Sequence, residues 1–92
     1  MSVFHYKAIL ECRDEDGFYI YRYFPDHVMA KDVSGLYRVN PDTFDAEIIE
    51  RAGAEEKGLV STDERCVSAT VWKIKVFWEK EGAMPEQVFW IA

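Results

Sequence analysis

Along the first part of the chain apolar and polar residues alternate in the rhythm of strands. Val3 to Arg13 and Phe18 to Phe24 are β-rich runs, separated by Asp14, Glu15, Asp16 and Gly17, a turn signal in which Gly17 is free to take positive φ. They predict a hairpin. Loops of two residues or of four differ by an even shift, so both put the same side chains on the same face. One face then collects Phe4, Tyr6, Ala8, Leu10 and Cys12 with Tyr19, Tyr21 and Tyr23 and carries no charge, which makes it the core face. The other mixes Val3, Ile9, Phe18, Ile20 and Phe24 with His5, Lys7, Glu11, Arg13 and Arg22, and a two-residue loop would set Glu11 opposite Arg22.

Pro25 ends the second strand, and residues 26–35 connect it to a short strand, Leu36 to Val39. The next stretch fits two structures. Asn40 suits a helix N-cap, Pro41 the first helical position, Asp42 and Asp45 the positive helix end, and Gly53 the stop, with Phe44, Ile48 and Ala52 four apart. The same residues suit a hairpin turning at 40–43 that would pair Arg38 with Asp45 and Val39 with Phe44. We expect the helix, because the hairpin would usually want glycine where Phe44 stands.

Later the rhythm becomes helical. Ser61 to Glu64 has capping-box spacing, and Cys66, Val67, Thr70, Val71, Ile74, Phe77 and Trp78 then fall on one continuous stripe before Gly82 and Pro85. Trp72, Ile74, Val76 and Trp78 also alternate as a strand would, but an unbroken strand from Arg65 to Lys80 would exceed the usual strand length. The expected fold is therefore α+β: an antiparallel sheet built on the N-terminal hairpin and one or two further strands, packed on one face by a long C-terminal helix. Residues 41–52 supply either a second helix or a fourth strand.

On that helix Phe77 and Trp78 face the core, whereas Trp72 and Val76 lie on the opposite side beside Lys73 and Lys80. Either the C-terminal run from Glu86 folds back as a strand or extended cover, setting Phe89 or Trp90 against Trp72, or these rings form an exposed protein-binding patch with a basic margin. Ile9, Ile20 and Phe24 raise the same question on the second sheet face. A two-layer protein leaves that face uncovered, and we expect it to be partly an interface.

Composition narrows the picture. Ninety-two residues, 49% hydrophobic and 30% charged, make a single small globular domain spanning 1–92. No apolar run approaches the ~18 residues of a membrane span, and the N-terminus lacks the pattern of a signal peptide, so no membrane association and a cytoplasmic location are expected. Cys12 and Cys66 are expected to be reduced and mostly buried. The net charge of −6 is uneven: residues 41–64 hold two basic against eight acidic side chains. Asp42, Asp45, Glu47, Glu50, Glu55 and Glu56 form a candidate acidic face that would attract a basic protein, and the field repels nucleic acid.

Signatures of chemistry are sparse. His5, His27, Cys12 and Cys66 are the soft metal ligands and none stand at zinc-site spacing; no glycine-rich phosphate loop or Gly-x-Ser-x-Gly occurs. We expect no metal, no cofactor and no catalytic residue. The functional expectation is a small acidic protein-interaction module, self-associating or binding a protein partner as inhibitor-like or immunity-like proteins do. The alternative is a small-molecule-binding protein or enzyme using Cys12, His5 and His27 near a tyrosine-lined cleft.

Overall fold

In the computed structural model, which describes residues 5–91, the first two runs pair as β1 (His5–Arg13) and β2 (Tyr19–Phe24). Val3 and Phe4, assigned above to the first strand, lie outside the described residues. The loop is three residues long: the Asp14 N–H donates to the Phe18 carbonyl at 2.8 Å, and Gly17 takes φ 88°. The Asp14 carboxylate accepts from the N–H groups of Asp16 and Phe18, both at 2.9 Å, which closes the turn.

This odd loop corrects one face assignment. Cys12 opposes Ile20 and Arg13 opposes Tyr19, then a bulge between Leu10 and Cys12 shifts the ladder so that Leu10 opposes Tyr21 and Ala8 opposes Tyr23. Cys12 thus leaves the tyrosine face for the outer one and is exposed, while Arg13 swings to the tyrosine side, its guanidinium 5.1 Å from the Tyr19 ring. Glu11, in the bulge, still meets Arg22 at 2.8 Å.

β3 (Gly35–Val39) pairs with β2, and β4 (Ala46–Glu50) pairs with β3. Residues 41–52 are therefore not a helix. The Asn40 side chain accepts from the Asp42 N–H at 2.8 Å, the bond it would make as an N-cap, but the Phe44 N–H returns to the Asn40 carbonyl at 2.7 Å and Phe44 takes φ 62°. The position that wants glycine is filled by a phenylalanine whose ring lies 6.4 Å from that of Trp78. Packing outweighs local preference here: as a strand, the segment sets Ile48 opposite Tyr37, where it closes the end of the core. The register is Val39 with Ala46 rather than with Phe44.

The helix α1 spans Asp63–Glu81, 19 residues, and packs on one sheet face. Its N-cap is Thr62, one residue later than the expected box; Ser61 is instead buried and hydrogen-bonded to the Tyr6 hydroxyl. Gly82 ends it at φ 69°, donating to the Trp78 carbonyl at 2.8 Å. After Pro85 the chain forms β5 (Gln87–Ile91), antiparallel beside β1, giving a five-stranded sheet in the order β4-β3-β2-β1-β5. The fold is α+β.

Between the layers Tyr21, Tyr23 and Tyr37 are fully buried with Cys66, Thr70 and Ile74. Their hydroxyls are all occupied: Tyr21 donates to the Pro85 carbonyl at 2.6 Å, Tyr23 to Asp63 at 3.0 Å, and Tyr37 pairs with the Thr70 hydroxyl at 2.9 Å. Burial pushes these phenols and the Cys66 thiol well above their ordinary pKa values. At neutral pH they are uncharged, Tyr23 and Tyr37 pegging the sheet to the helix and Tyr21 pegging it to the chain ahead of β5.

Candidate functional site

The sheet ends in two edge strands that differ in chemistry. β4 carries Glu47 and Glu50, is bracketed by Asp45 and Arg51, and is kinked where its register with β3 shifts between Leu36 and Tyr37. Charges and bulges of this kind discourage another strand from pairing. β5 reads Gln-Val-Phe-Trp-Ile, with no charge, no proline and an unbroken register along β1. It is an unguarded edge.

The ladder fixes which β5 groups face outward. Leu10 N–H donates to the Glu86 carbonyl at 2.8 Å, and in an antiparallel ladder bonded pairs alternate, so Val88 and Trp90 bond to β1. The N–H and C=O of Gln87, Phe89 and Ile91 point away, and among the described residues no strand lies beyond them. Free backbone groups on a straight edge are what an added strand requires.

Apolar side chains flank this edge on both sides. Trp72 is 55% exposed, Phe77 39%, Phe89 42% and Ile91 66%. On the helix side a groove is lined by Lys73, Val76, Phe77 and Lys80 against Gln87, Val88 and Phe89. A second groove is lined by Glu64, Arg65, Ser68 and Ala69 with Trp72 and Trp90, whose rings stand edge to face with centroids 5.8 Å apart. The C-terminal run thus does fold back as a strand and sets Trp90 against Trp72, yet it leaves half of Trp72 bare. Phe77, expected in the core, is another correction: it borders β5, and among the described residues no further strand covers it. Cations overlie the rings, Lys73 Nζ 5.9 Å from Trp90 and Lys7 Nζ 5.6 Å from Phe89.

The middle of the outer sheet face is better sheltered. Ile9, Ile20 and Phe24 are only half-buried, but long cationic side chains lie among them. Lys7 Nζ sits 5.8 Å from the Phe24 ring, Arg38 stacks 4.0 Å over Phe18, and Arg22 bridges Glu11 and the Ser34 hydroxyl at 2.8 and 3.0 Å. Of the exposed large apolar side chains, Trp72, Phe77, Phe89 and Ile91 lie on or beside β5, and Val28, Met29, Ile49 and Val60 lie on loops and β4.

The candidate chemical groups do not converge. Cys12 and His5 stand at opposite ends of β1, seven residues and so about 20 Å apart at the rise of a strand. His5 and His27 adjoin, ring centroids 6.2 Å apart, and His27 lies 5.5 Å from Phe89. Partial burial, Lys7 and His5 together hold His27 below its usual pKa. Tyr21, Tyr23 and Tyr37 are packed under α1, whereas Tyr19 lines a pocket with Cys12, Arg13 and Glu86 at the end of β1 away from His5. Among the described residues no group of three or more His, Cys, Asp or Glu side chains is placed to hold a metal ion. Of the candidate acids, Asp42 and Asp45 lie in the β3–β4 turn, Glu47 and Glu50 on β4, and Glu55 and Glu56 in the turns that follow.

Asp63, the first residue of α1, is the buried hub behind the site. It accepts from Ala54 N–H at 2.9 Å, Gly53 N–H at 3.0 Å and the Tyr23 hydroxyl at 3.0 Å, with the Arg51 guanidinium 3.7 Å away.

Comparison with protein-family models, curated proteins and solved structures returns no match. Among the described residues no helix is long and apolar enough to cross a membrane.

Proposed function

We propose that this protein is a non-catalytic interaction module that binds a protein by taking up one of its strands on the open edge of β5. The observation that carries the reading is the uncharged, unpaired edge at Gln87, Phe89 and Ile91, flanked by Trp72 and Phe77 on one side and by Phe89 and Ile91 on the other. Backbone bonds supply the attachment, and the rings supply the buried area and the preference for an apolar strand. Val76, Lys73 and Lys80 form the margin of the seat. The acids of β4 keep the other edge single, so the segregated charge directs partners to β5. A reducing, cytoplasmic setting suits a chain whose Cys12 is exposed and whose two cysteines are both free. The net charge of −6 disfavours nucleic acid as the partner.

A photoreactive residue placed at Ile91, compared with one at Glu47 on the guarded edge, tests the reading in cells. Covalent protein adducts should form from position 91 and not from 47. Absence of adducts at 91, or equal yields from both edges, would refute it.

A further inference from the structure

We infer that the strand β5 takes up is the β5 of a second copy, paired antiparallel about a two-fold axis at Phe89. The inference rests on the reading above and adds the partner.

Three features select a second copy. The first is charge: two chains of net charge −6 repel, and they approach best where neither carries acid. Gln87–Ile91 is uncharged, and the acids of the β4 hairpin lie at the far edge of each sheet, four strand spacings away. Joining β5 to β5 keeps those acids as far apart as the fold allows.

The second is backbone symmetry. An antiparallel pair with Phe89 opposite its own mate sets Gln87 opposite Ile91, and all the outward N–H and C=O groups of Gln87, Phe89 and Ile91 are then bonded. The two sheets become one sheet of ten strands, closed at both ends by guarded β4 edges.

The third is that an exposed ring stands at each end of the helix side of β5, Phe77 at one and Trp72 at the other. Near Gln87 the helix side is lined by Lys73, Phe77 and Lys80, and near Trp90 by Glu64, Arg65, Ala69 and Trp72. The two-fold lays the first end of one copy beside the second end of the other. Phe77 then comes to the tryptophan pair of its mate.

Sedimentation of the wild-type protein and of Phe89→Lys and Phe89→Glu, alone and mixed, tests this. The wild type should approach twice the chain mass of 10.7 kDa at submillimolar concentration. Each variant alone should be monomeric, because like charges would face one another across the axis, and an equimolar mixture should recover the doubled mass. Recovery in the mixture also shows that both variants fold. A wild type that stays monomeric overturns the inference, as does a dimer unaffected by either variant or a pair of monomeric variants that do not recover on mixing. A monomer that still forms adducts from position 91 with a different protein would remove the second copy and keep the strand-accepting edge. A monomer without adducts would remove both.

Discussion

The Tyr23 hydroxyl donates to the Asp63 carboxylate at 3.0 Å and accepts from the Ala52 N–H at 3.1 Å. One phenol thereby ties the central strand β2 to the start of α1 and to the chain leaving β4. Asp63 in turn gathers the amides of Gly53 and Ala54, so a single buried carboxylate sets where the helix begins and how it crosses the sheet. The position of the helix decides which side chains are left beside β5, and the hub therefore supports the open edge from a distance.

Replacing Asp63 with alanine strands a buried hydroxyl and two amides. The expected loss is about 3 kcal/mol, a large share of the ~5 to 10 kcal/mol that holds a small domain together. Urea denaturation measures it, with Glu79→Ala, at an exposed position on the same helix, as a control that should barely move the midpoint. A loss under about 1 kcal/mol would show that Asp63 is not the hub described.

Asp63 also gives stability a pH dependence of definite sign. Burial by itself would raise its carboxyl, but the amides of Ala54 and Gly53, the Tyr23 hydroxyl and Arg51 outweigh burial and hold it below the ordinary value of 3.8. A folded-state pKa below the unfolded one contributes stability that is fully present above the unfolded value and is lost as pH falls through the folded one. The stability difference between wild type and Asp63→Asn should therefore be constant at mildly acidic to neutral pH and shrink on acidification below 3.8. A gap that widened there would reverse the sign.

Phe44 sits at φ 62° and keeps that conformation because its ring packs near Trp78. Alanine would lose the ring and keep the backbone strain, whereas glycine loses the ring and relieves it. Phe44→Gly should be more stable than Phe44→Ala by about 1 kcal/mol, and both should be less stable than wild type. Thermal melts of the three proteins decide it; alanine equal to or above glycine would mean that the turn carries no strain.

The helix and the first hairpin were legible because their signals are local: a hydroxyl and an acid at the helix start, one apolar stripe, Gly82 at the end, Gly17 in the first turn. The β3–β4 hairpin was not, because Asn40 and Pro41 serve a turn as well as they serve a helix, and only the partners Tyr37 and Val39 across the ladder choose between them. Cys12 was misplaced for a similar reason. An odd loop and a bulge at Glu11 each shift the register by one, and neither leaves a mark in the alternation. At the site, Trp72, Val76, Lys73 and Lys80 stood out as a second stripe on the helix. The open edge itself did not, since which strand ends a sheet follows from the long-range pairing of β5 with β1. The uncharged run of Gln87–Ile91 was the available clue.

Amide hydrogen exchange along β5 tests most directly whether its outer edge is paired in solution by another copy. The N–H groups of Val88 and Trp90 face β1 and should be protected at every concentration, and that of Ala46 on the outer side of β4 should exchange freely at every concentration. Those of Phe89 and Ile91 should exchange freely in dilute protein and become protected as concentration rises and the mass doubles. Exchange at Phe89 and Ile91 that stays as fast as at Ala46 up to submillimolar protein would contradict the pairing.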